Sequence, residues 1–164
     1  GVFPDILVIA KALGGGMPLG AFISSEEIMS SLVKDPGLGH ITTFGGHPVC
    51  CAAGLASLEV ILEEGLTASC AEKSALFRKE LSHPAISEIR GEGLLLAVKL
   101  NKPEYIPYAV KHAPDFGLIL DYFLFCDDSF RIAPPLIISN EEIVAACSQI
   151  KELLDITMKN PGAA

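Results

Sequence analysis

The sequence predicts an α/β fold in two parts, residues 1–82 and residues 83–164. Two short apolar runs, residues 5–10 and 20–24, are bounded by Gly and Pro, a pattern typical of buried strands in a parallel sheet. Helical patterns fill the rest of the first part. Beyond His83-Pro84 the pattern changes to strand-like runs around a glycine turn, so a boundary between two lobes is expected near residues 80–85.

The helices of the first part are predicted from their start and stop signals. Ser25 is a good N-cap and is followed by two acidic residues, which interact favourably with the positive end of the helix dipole. Pro48 suits the first turn of a long helix of small residues, which Gly65 ends. A stretch with Gly, Pro and a Thr pair separates the two and is predicted to be a loop. The predicted helices span residues 25–33, 48–64 and 67–81, and the loop spans residues 35–46.

The second part is predicted to begin with two strands around the turn Gly91-Glu92-Gly93. Its last helix is predicted to begin after Ser139, which precedes acidic residues in the pattern of a capping box, and one face of that helix is apolar. The predicted strands are residues 86–90, 94–100, 117–120 and 130–132, and the predicted helices are residues 104–113 and 140–157.

The composition argues against two classes of function. The formal net charge is −8, with 20 acidic residues against 12 basic ones, which disfavours a nucleic-acid-binding protein. Half of the residues are hydrophobic and the mean hydropathy is +0.45. No run of about 18 or more uncharged apolar residues predicts a membrane-spanning helix. We therefore expect much of the apolar surface to be covered by something outside this chain.

The cysteines indicate the cellular compartment, and the first residues indicate whether the chain is a fragment. The 5 cysteines, without a CxxC pair, favour reduced, buried thiols over a disulfide framework or a metal site. No signal or transit sequence opens the chain, so a cytoplasmic protein is expected. The chain starts with Gly1-Val2-Phe3-Pro4 directly before a predicted buried strand, and a fragment of a longer protein is expected.

Lys11 is the residue whose position most clearly suggests a role in catalysis. It lies between the predicted strand 5–10 and a glycine-rich turn, residues 12–20, where we expect its amine to be buried. Burial lowers the pKa of a lysine, and a neutral amine is a nucleophile toward a carbonyl carbon. A solvated surface lysine is the ordinary alternative. A phosphate-binding P-loop does not fit, because its glycines precede the lysine and a Ser or Thr follows it.

Segments along nearly the whole chain carry a resemblance to a known family. They are Pro4-Asp5-Ile6-Leu7 through Lys11-Ala12-Leu13-Gly14-Gly15-Gly16-Met17-Pro18-Leu19-Gly20-Ala21, then His40-Ile41-Thr42-Thr43-Phe44-Gly45-Gly46-His47-Pro48, then Arg90-Gly91-Glu92-Gly93-Leu94, then Phe130-Arg131-Ile132-Ala133-Pro134-Pro135-Leu136. In this order they resemble the C-terminal half of the class III pyridoxal-phosphate-dependent aminotransferases. That family includes the ornithine, acetylornithine, 4-aminobutyrate and lysine aminotransferases.

The resemblance implies a fold and a set of site residues. The chain would hold the C-terminal part of the large domain of a fold-type I transferase, followed by the small α+β C-terminal domain. Lys11 would be the catalytic residue and would bind pyridoxal 5'-phosphate covalently. Thr43, with Thr42 beside it, would bind the phosphate of the cofactor in the neighbouring subunit of a homodimer. Arg131 would bind the substrate carboxylate through two parallel hydrogen bonds.

Each implied role has an ordinary alternative. A Thr-Thr pair in a loop is usually part of a turn or a helix cap. An arginine in an apolar strand can form a structural ion pair with a buried Asp or Glu. His40, His47 and Arg90 are expected to be structural.

The implied activity is the transfer of an amino group between an amine or amino acid and a 2-oxo acid. The aspartate that would contact the pyridine nitrogen and the glycine-rich phosphate loop would lie upstream of Lys11, and Asp5 is too close to Lys11 to be that aspartate. The fragment is therefore expected to be inactive alone. The alternatives are a glutamate-1-semialdehyde-type aminomutase and a non-catalytic fragment.

Overall fold

The computed structural model describes residues 1–160, which form two compact units. The first is Gly1–Gly65 and the second begins at Leu66. The predicted domain boundary lies later, after residue 82. The helix before that position belongs to the second unit, because Phe77 and Leu81 are buried in the core of that unit. No helix among the described residues is long and apolar enough to cross a membrane.

A short antiparallel ribbon opens the first unit. Strand β1 (Ile6–Ile9) pairs with β2 (Ala21–Ser24), with Ile6 opposite Ser24. Both strands are confirmed, but a parallel arrangement is wrong for this pair. Residues 10–20 alone connect the strands, and a parallel pair needs a crossover of about a dozen or more residues.

Two helices follow in the first unit. Helix α1 (Glu26–Met29) is short and continues as a 3₁₀ turn, and the Oγ of Ser25 accepts a hydrogen bond from the backbone N–H of Ile28. The N-cap prediction for Ser25 is therefore confirmed. Helix α2 (Pro48–Glu63) has its proline in the first turn, as predicted.

The first unit has no apolar core within the described residues. Its buried residues are Gly14 and Gly54, so the predicted burial of the strands near 5–10 and 20–24 is wrong for this chain. An apolar side chain left in water forgoes about 1.5–3 kcal/mol of burial free energy. The unit therefore presents apolar surface that another surface would have to cover. Its exposed large apolar residues include Ile6, Leu7, Val8, Phe22, Ile23, Val49, Leu55, Leu58, Val60 and Leu62.

An antiparallel sheet forms the centre of the second unit. Its strands are β3 (Ile86–Glu92), β4 (Leu95–Leu100), β5 (Asp121–Phe123) and β6 (Cys126–Ile132), in the order β3-β4-β6-β5. The predicted strand at 117–120 is wrong because the chain is still turning there. Gly117 has a φ of 71°, and the N–H of Leu118 donates to the carbonyl of Ala113.

Helices pack against one face of this sheet. α3 (Cys70–Glu80) and α4 (Tyr105–His112) contact its strands, and α5 (Asn140–Lys159) packs against both of these helices. The capping box of α5 is confirmed: the N–H of Glu142 donates to Ser139 Oγ at 3.1 Å, and the N–H of Ser139 donates to Glu142 Oε2 at 2.8 Å.

The pleat of the sheet separates an apolar face from a polar one. Val98 of β4 lies opposite Phe130 of β6, and both are completely buried against the helices. The adjacent residues in each strand, Lys99 and Arg131, point to the other face, because successive side chains of a strand alternate. The largest completely buried side chains of this core are Phe77, Phe130, Leu96, Leu100, Ile143, Leu153, Leu154 and Val98.

The cysteines differ in burial. All of them are free thiols, but the predicted burial holds only for Cys147; Cys51 is exposed and the other three are half-buried. Burial raises the pKa of the Cys147 thiol to about 11, so this thiol is uncharged at neutral pH.

Candidate functional site

Lys11 lies where β1 ends and the glycine-rich turn begins. It is the first residue of a 3₁₀ turn, Lys11–Gly14, and its φ of 57° is in the left-handed region. A non-glycine residue there costs roughly 1–2 kcal/mol, and such strain persists only where the surroundings hold it. Lys11 is exposed, so the predicted burial of its amine is wrong for this chain. The amine is therefore open to a reactant.

Close packing against α2 holds the turn that carries Lys11. Gly15 has a φ of 57°, and a Cβ at that position would lie 2.6 Å from the carbonyl oxygen of Ala53 in α2. A Cβ on Gly54 would lie 2.7 Å from the carbonyl oxygen of Leu13 in the turn. A residue larger than glycine at either position would clash with the backbone. These two glycines therefore let the backbone of the turn lie directly on α2. This packing fixes the position of Lys11 at the end of β1.

Thr42 and Thr43 lie in the loop that leads into α2. Both are exposed. A turn follows directly, in which the N–H of His47 donates to the carbonyl of Phe44 at 3.2 Å, and Gly46 adopts a φ of 70°. Both threonines are thus accessible to a ligand.

The histidines next to this loop show no sign of metal binding. His47 is the N-cap residue of α2, although its side chain makes no capping hydrogen bond. Within residues 1–160 there is no group of three or more side chains that could hold a metal ion.

Arg131 lies on the polar face of the sheet in the second unit. It sits in β6 directly opposite Asp121 of β5, and its guanidinium donates a hydrogen bond to the Asp121 carboxylate. The exposed fractions are 37% for the Arg131 side chain and 54% for that of Asp121. The ion pair named above as the ordinary alternative therefore exists, with a half-exposed aspartate as the partner.

Further ion pairs cross the same face of the sheet. Arg90 in β3 donates to Cys126 Sγ at 2.9 Å and lies 3.6 Å from a carboxylate oxygen of Glu88. Lys99 lies 2.8 Å from Asp128. The hydrogen bond from Lys99 holds the pKa of Asp128 well below the usual range of a carboxyl, and the same bond raises the pKa of Lys99. The contacts of Arg90 tie strands together, which fits the structural role expected for it.

Asp121 and Asp128 are the residues of this face that the sequence reasoning misses. Asp121 is ten positions before its partner, and the hairpin between them contains a register shift near Tyr122 and Phe123. The alternation of charged and apolar residues around Arg131 signals a polar face, but it does not show which acid faces which base.

An apolar cleft borders the same strand. It has a volume of about 300 Å³, and its lining is apolar apart from Arg131. Arg131 is thus the charged side chain of this cleft, and its guanidinium pairs with Asp121.

The structure places the predicted site residues on two separate units. Lys11, Thr42 and Thr43 belong to the first unit, and Arg131 belongs to the second. Within the first unit, Lys11 directly follows β1, and Thr42 and Thr43 lie in the loop before α2.

The likeness to solved structures places the chain in a class, the fold-type I pyridoxal-phosphate-dependent transaminases. The chain superposes on a thermostable omega transaminase from Pseudomonas jessenii (6-fold mutant) with a TM-score of 0.84 and 30% identity, covering 98% of this chain and 39% of that one. It superposes on the ornithine aminotransferase from Toxoplasma gondii with a TM-score of 0.83 and 32% identity, covering 98% of this chain and 38% of that one. In that Toxoplasma structure, PLP partially occupies the active site.

Within that class the chain belongs to the class III aminotransferases. The family model described as aminotransferase class-III matches residues 1–154. An ornithine aminotransferase from Brevibacillus brevis is 39% identical over 160 residues, 95% of this chain. An ornithine aminotransferase from Bacillus cereus (strain Q1) is 39% identical over 162 residues, 94% of this chain. The chain spans 38% of the length of each of these relatives.

Proposed function

We propose that the protein containing this chain is a pyridoxal-phosphate-dependent transaminase. It would move an amino group between an amine or amino acid and a 2-oxo acid, and this chain would not do so alone. The observation that carries the proposal is Lys11: an exposed amine on a strained turn that glycines hold against α2. Membership of the class III family supports it.

The residues of the first unit fit the cofactor. The exposed Lys11 amine would hold it, and Thr42 and Thr43 would offer hydroxyl and N–H donors to the phosphate, which such donors bind well. When bound, pyridoxal phosphate supplies an electron sink for the bond that breaks at the substrate carbon. The amine of Lys11 would then take and return the proton of that carbon as a general base and acid.

Arg131 would bind the carboxylate of the substrate. Its guanidinium is half-exposed and can hold a carboxylate in a fixed orientation. Since the relatives named above are ornithine aminotransferases, ornithine is the first amino donor to test.

The complete protein is proposed to act as a cytoplasmic homodimer. Thr43 would serve the cofactor of the other subunit, so each site would need both chains. The exposed apolar surface of the first unit is consistent with a covering partner.

The test is to trap the cofactor on its lysine. The complete protein is incubated with pyridoxal phosphate and reduced with borohydride, and the modified peptide is identified by mass spectrometry. We expect a stoichiometric adduct on Lys11, and none there in Lys11→Ala. Lys34→Ala removes another lysine of the first unit and should leave the adduct in place. An adduct spread over several lysines, or none on Lys11, would refute the proposal.

A second measurement separates transamination from the aminomutase reaction. A transaminase releases the amino group to a 2-oxo acid, so turnover of the donor requires that acceptor. Product formed at an undiminished rate without any 2-oxo acid would instead support an aminomutase.

A further inference from the structure

A lysine of α3 reaches the segment of chain that follows β6. Lys73 donates a hydrogen bond from Nζ to the backbone carbonyl of Leu136 at 2.6 Å, across 63 positions of the chain. Lys73 is half-buried and has no ion pair within residues 1–160. A hydrogen bond from a charged donor is roughly twice as strong as one between neutral groups. The ammonium of Lys73 therefore holds Leu136 to α3.

The segment between Arg131 and Leu136 has a stiff backbone. We call residues 133–136 the proline segment, because Pro134 and Pro135 lie at its centre. The ring of each proline fixes its φ, and a residue before a proline is restricted as well, so Ala133 also has little freedom. A displacement at Leu136 therefore cannot be absorbed by rotation within the proline segment, and it reaches the end of β6, where Arg131 lies.

The prolines also remove backbone donors that could otherwise hold this part of the chain. The N–H of Ile138 donates to the carbonyl of Pro135 at 3.1 Å, which closes a local turn. That bond joins neighbouring residues and does not fix the turn against the rest of the second unit. The hydrogen bond from Lys73 connects the turn to a helix that is distant in the sequence.

The apolar cleft that borders Arg131 involves the same face of α3. Phe77 lines this cleft, and so do Pro134 and Pro135 of the proline segment. Lys73 and Phe77 are at positions i and i+4 of α3, so their side chains lie on one face of the helix. This face of α3 thus forms part of the cleft and holds another part of it in place through Lys73.

We propose that Lys73 is a positioning residue for the arginine that binds the carboxylate. The inference rests on the proposed function, in which Arg131 binds the substrate carboxylate. The hydrogen bond from Lys73 to Leu136 holds the proline segment before a ligand arrives, and this fixes the strand end from which Arg131 projects. Without that bond the proline segment moves, so ligand binding has to order it again and the carboxylate is bound more weakly.

The strength of the hydrogen bond sets the size of the effect. A hydrogen bond that involves a charged group changes an equilibrium constant by about ten-fold or more. Leu136 and Ile138 also pack against the apolar core, so the proline segment keeps part of its order without Lys73. We therefore expect carboxylate binding to weaken by about three- to ten-fold when the bond is removed.

The experiment measures the binding of glutarate, a non-reacting dicarboxylate, to the holoenzyme that contains this chain, by isothermal titration. Lys73→Met keeps an apolar stem without the donor and should raise the Kd of glutarate by about three- to ten-fold. Lys73→Arg keeps a cationic donor and should restore most of the affinity. Lys79→Met is the matched control and should leave the Kd unchanged, because the Lys79 side chain is on the same helix and is 78% exposed.

A double substitution separates positioning from a general structural role. If Lys73 acts through Arg131, Lys73→Met should have no further effect on the Kd of glutarate in the Arg131→Gln background. In the Lys73→Met single variant the KM of ornithine should rise. The KM of putrescine, which is ornithine without its carboxylate, should not change, and neither should the kcat with either donor. If Lys73→Met does not fold, Lys73→Gln makes the same comparison.

The outcomes distinguish the two proposals. Weaker glutarate binding in Arg131→Gln with unchanged binding in Lys73→Met overturns the inference and leaves the role of Arg131 intact. Unchanged binding in Arg131→Gln refutes that role, even where Lys11 still traps the cofactor. An equal rise in KM for ornithine and putrescine, or an undiminished effect of Lys73→Met in the Arg131→Gln background, would show that Lys73 is merely structural and would overturn the inference.

Discussion

The substitution Gly54→Ala tests whether α2 positions Lys11. In an ordinary helix this change stabilises by about 1 kcal/mol, because glycine has the greater conformational freedom to lose. Here the new Cβ would lie 2.7 Å from the carbonyl oxygen of Leu13 and 2.7 Å from a methyl carbon of Leu19. Leu19 can rotate away, but the carbonyl of Leu13 belongs to the backbone of the turn. The turn would have to retreat by about 0.7 Å to reach ordinary contact at 3.4 Å.

Two opposing contributions decide how Gly54→Ala changes the free energy of unfolding. Overpacking costs about 1–3 kcal/mol, and the gain in helix propensity offsets about 1 kcal/mol of it. We expect a net loss of about 0–2 kcal/mol in the free energy of unfolding. The effect on chemistry should be larger, because a displacement of about 1 Å at a reacting group can cost about a hundred-fold in rate.

The assay follows capture of pyridoxal phosphate by Lys11 in the complete protein, from the change in cofactor absorbance after mixing. We expect capture to slow by about ten-fold or more. Gly37→Ala is the matched control, because a Cβ there meets nothing within 4 Å. If Gly54→Ala were more stable than the wild type and captured the cofactor at the same rate, the proposed packing of the turn would be wrong.

Three further predictions concern the second unit. Ser139→Ala should cost about 1 kcal/mol in the free energy of unfolding by removing the side-chain half of the capping box, whereas Ser69→Ala should cost less, because Ser69 is an N-cap without a capping bond; urea titration compares them. Phe130→Ala should cost about 3–5 kcal/mol in the same titration, because its completely buried ring leaves a cavity. Lys99 keeps the pKa of Asp128 low, so this carboxylate stabilises the fold above the ordinary value of 3.8 and the contribution disappears as the pH falls through the acid range. The stability difference between the wild type and Asp128→Asn should therefore shrink as the pH falls below 3.8, and a constant difference would contradict the pairing.

Local signals in the sequence predict most of the elements. The N-cap at Ser25, the proline that starts α2 and the capping box at Ser139 depend only on neighbouring residues, and each is present in the structure. The position of Lys11 between a strand and a glycine-rich turn is local in the same sense. These features could be predicted because a cap or a turn is formed by residues within a few positions of one another.

The errors concern relations between distant residues. An apolar run such as Ile6–Ile9 predicts a strand, but it does not show whether the next strand runs parallel to it or what covers its surface. The exposure of Lys11 could not be predicted for the same reason, since the sequence does not show which surface covers this region. The pairing of Arg131 with Asp121 depends on the register of a hairpin that contains a bulge, which periodicity cannot supply. The residue types alone allow an ion pair at Arg131, but they do not identify Asp121 as its partner.

The uneven burial of the two units has a consequence for how substitutions will be tolerated. Phe130 and Leu153 are completely buried in the core of the second unit, so their allowed replacements are set by the volumes of core neighbours and should covary with positions within this chain. Leu55 and Leu62 of α2 are exposed, so Leu62→Ser should scarcely alter the unfolding of the 164 residues taken alone. In the complete protein the same substitution should be damaging wherever another surface rests on α2. The covariation partners of these leucines should accordingly lie outside this sequence or in a second copy of it, and a mutational scan of the complete protein would reveal which positions of α2 are in contact.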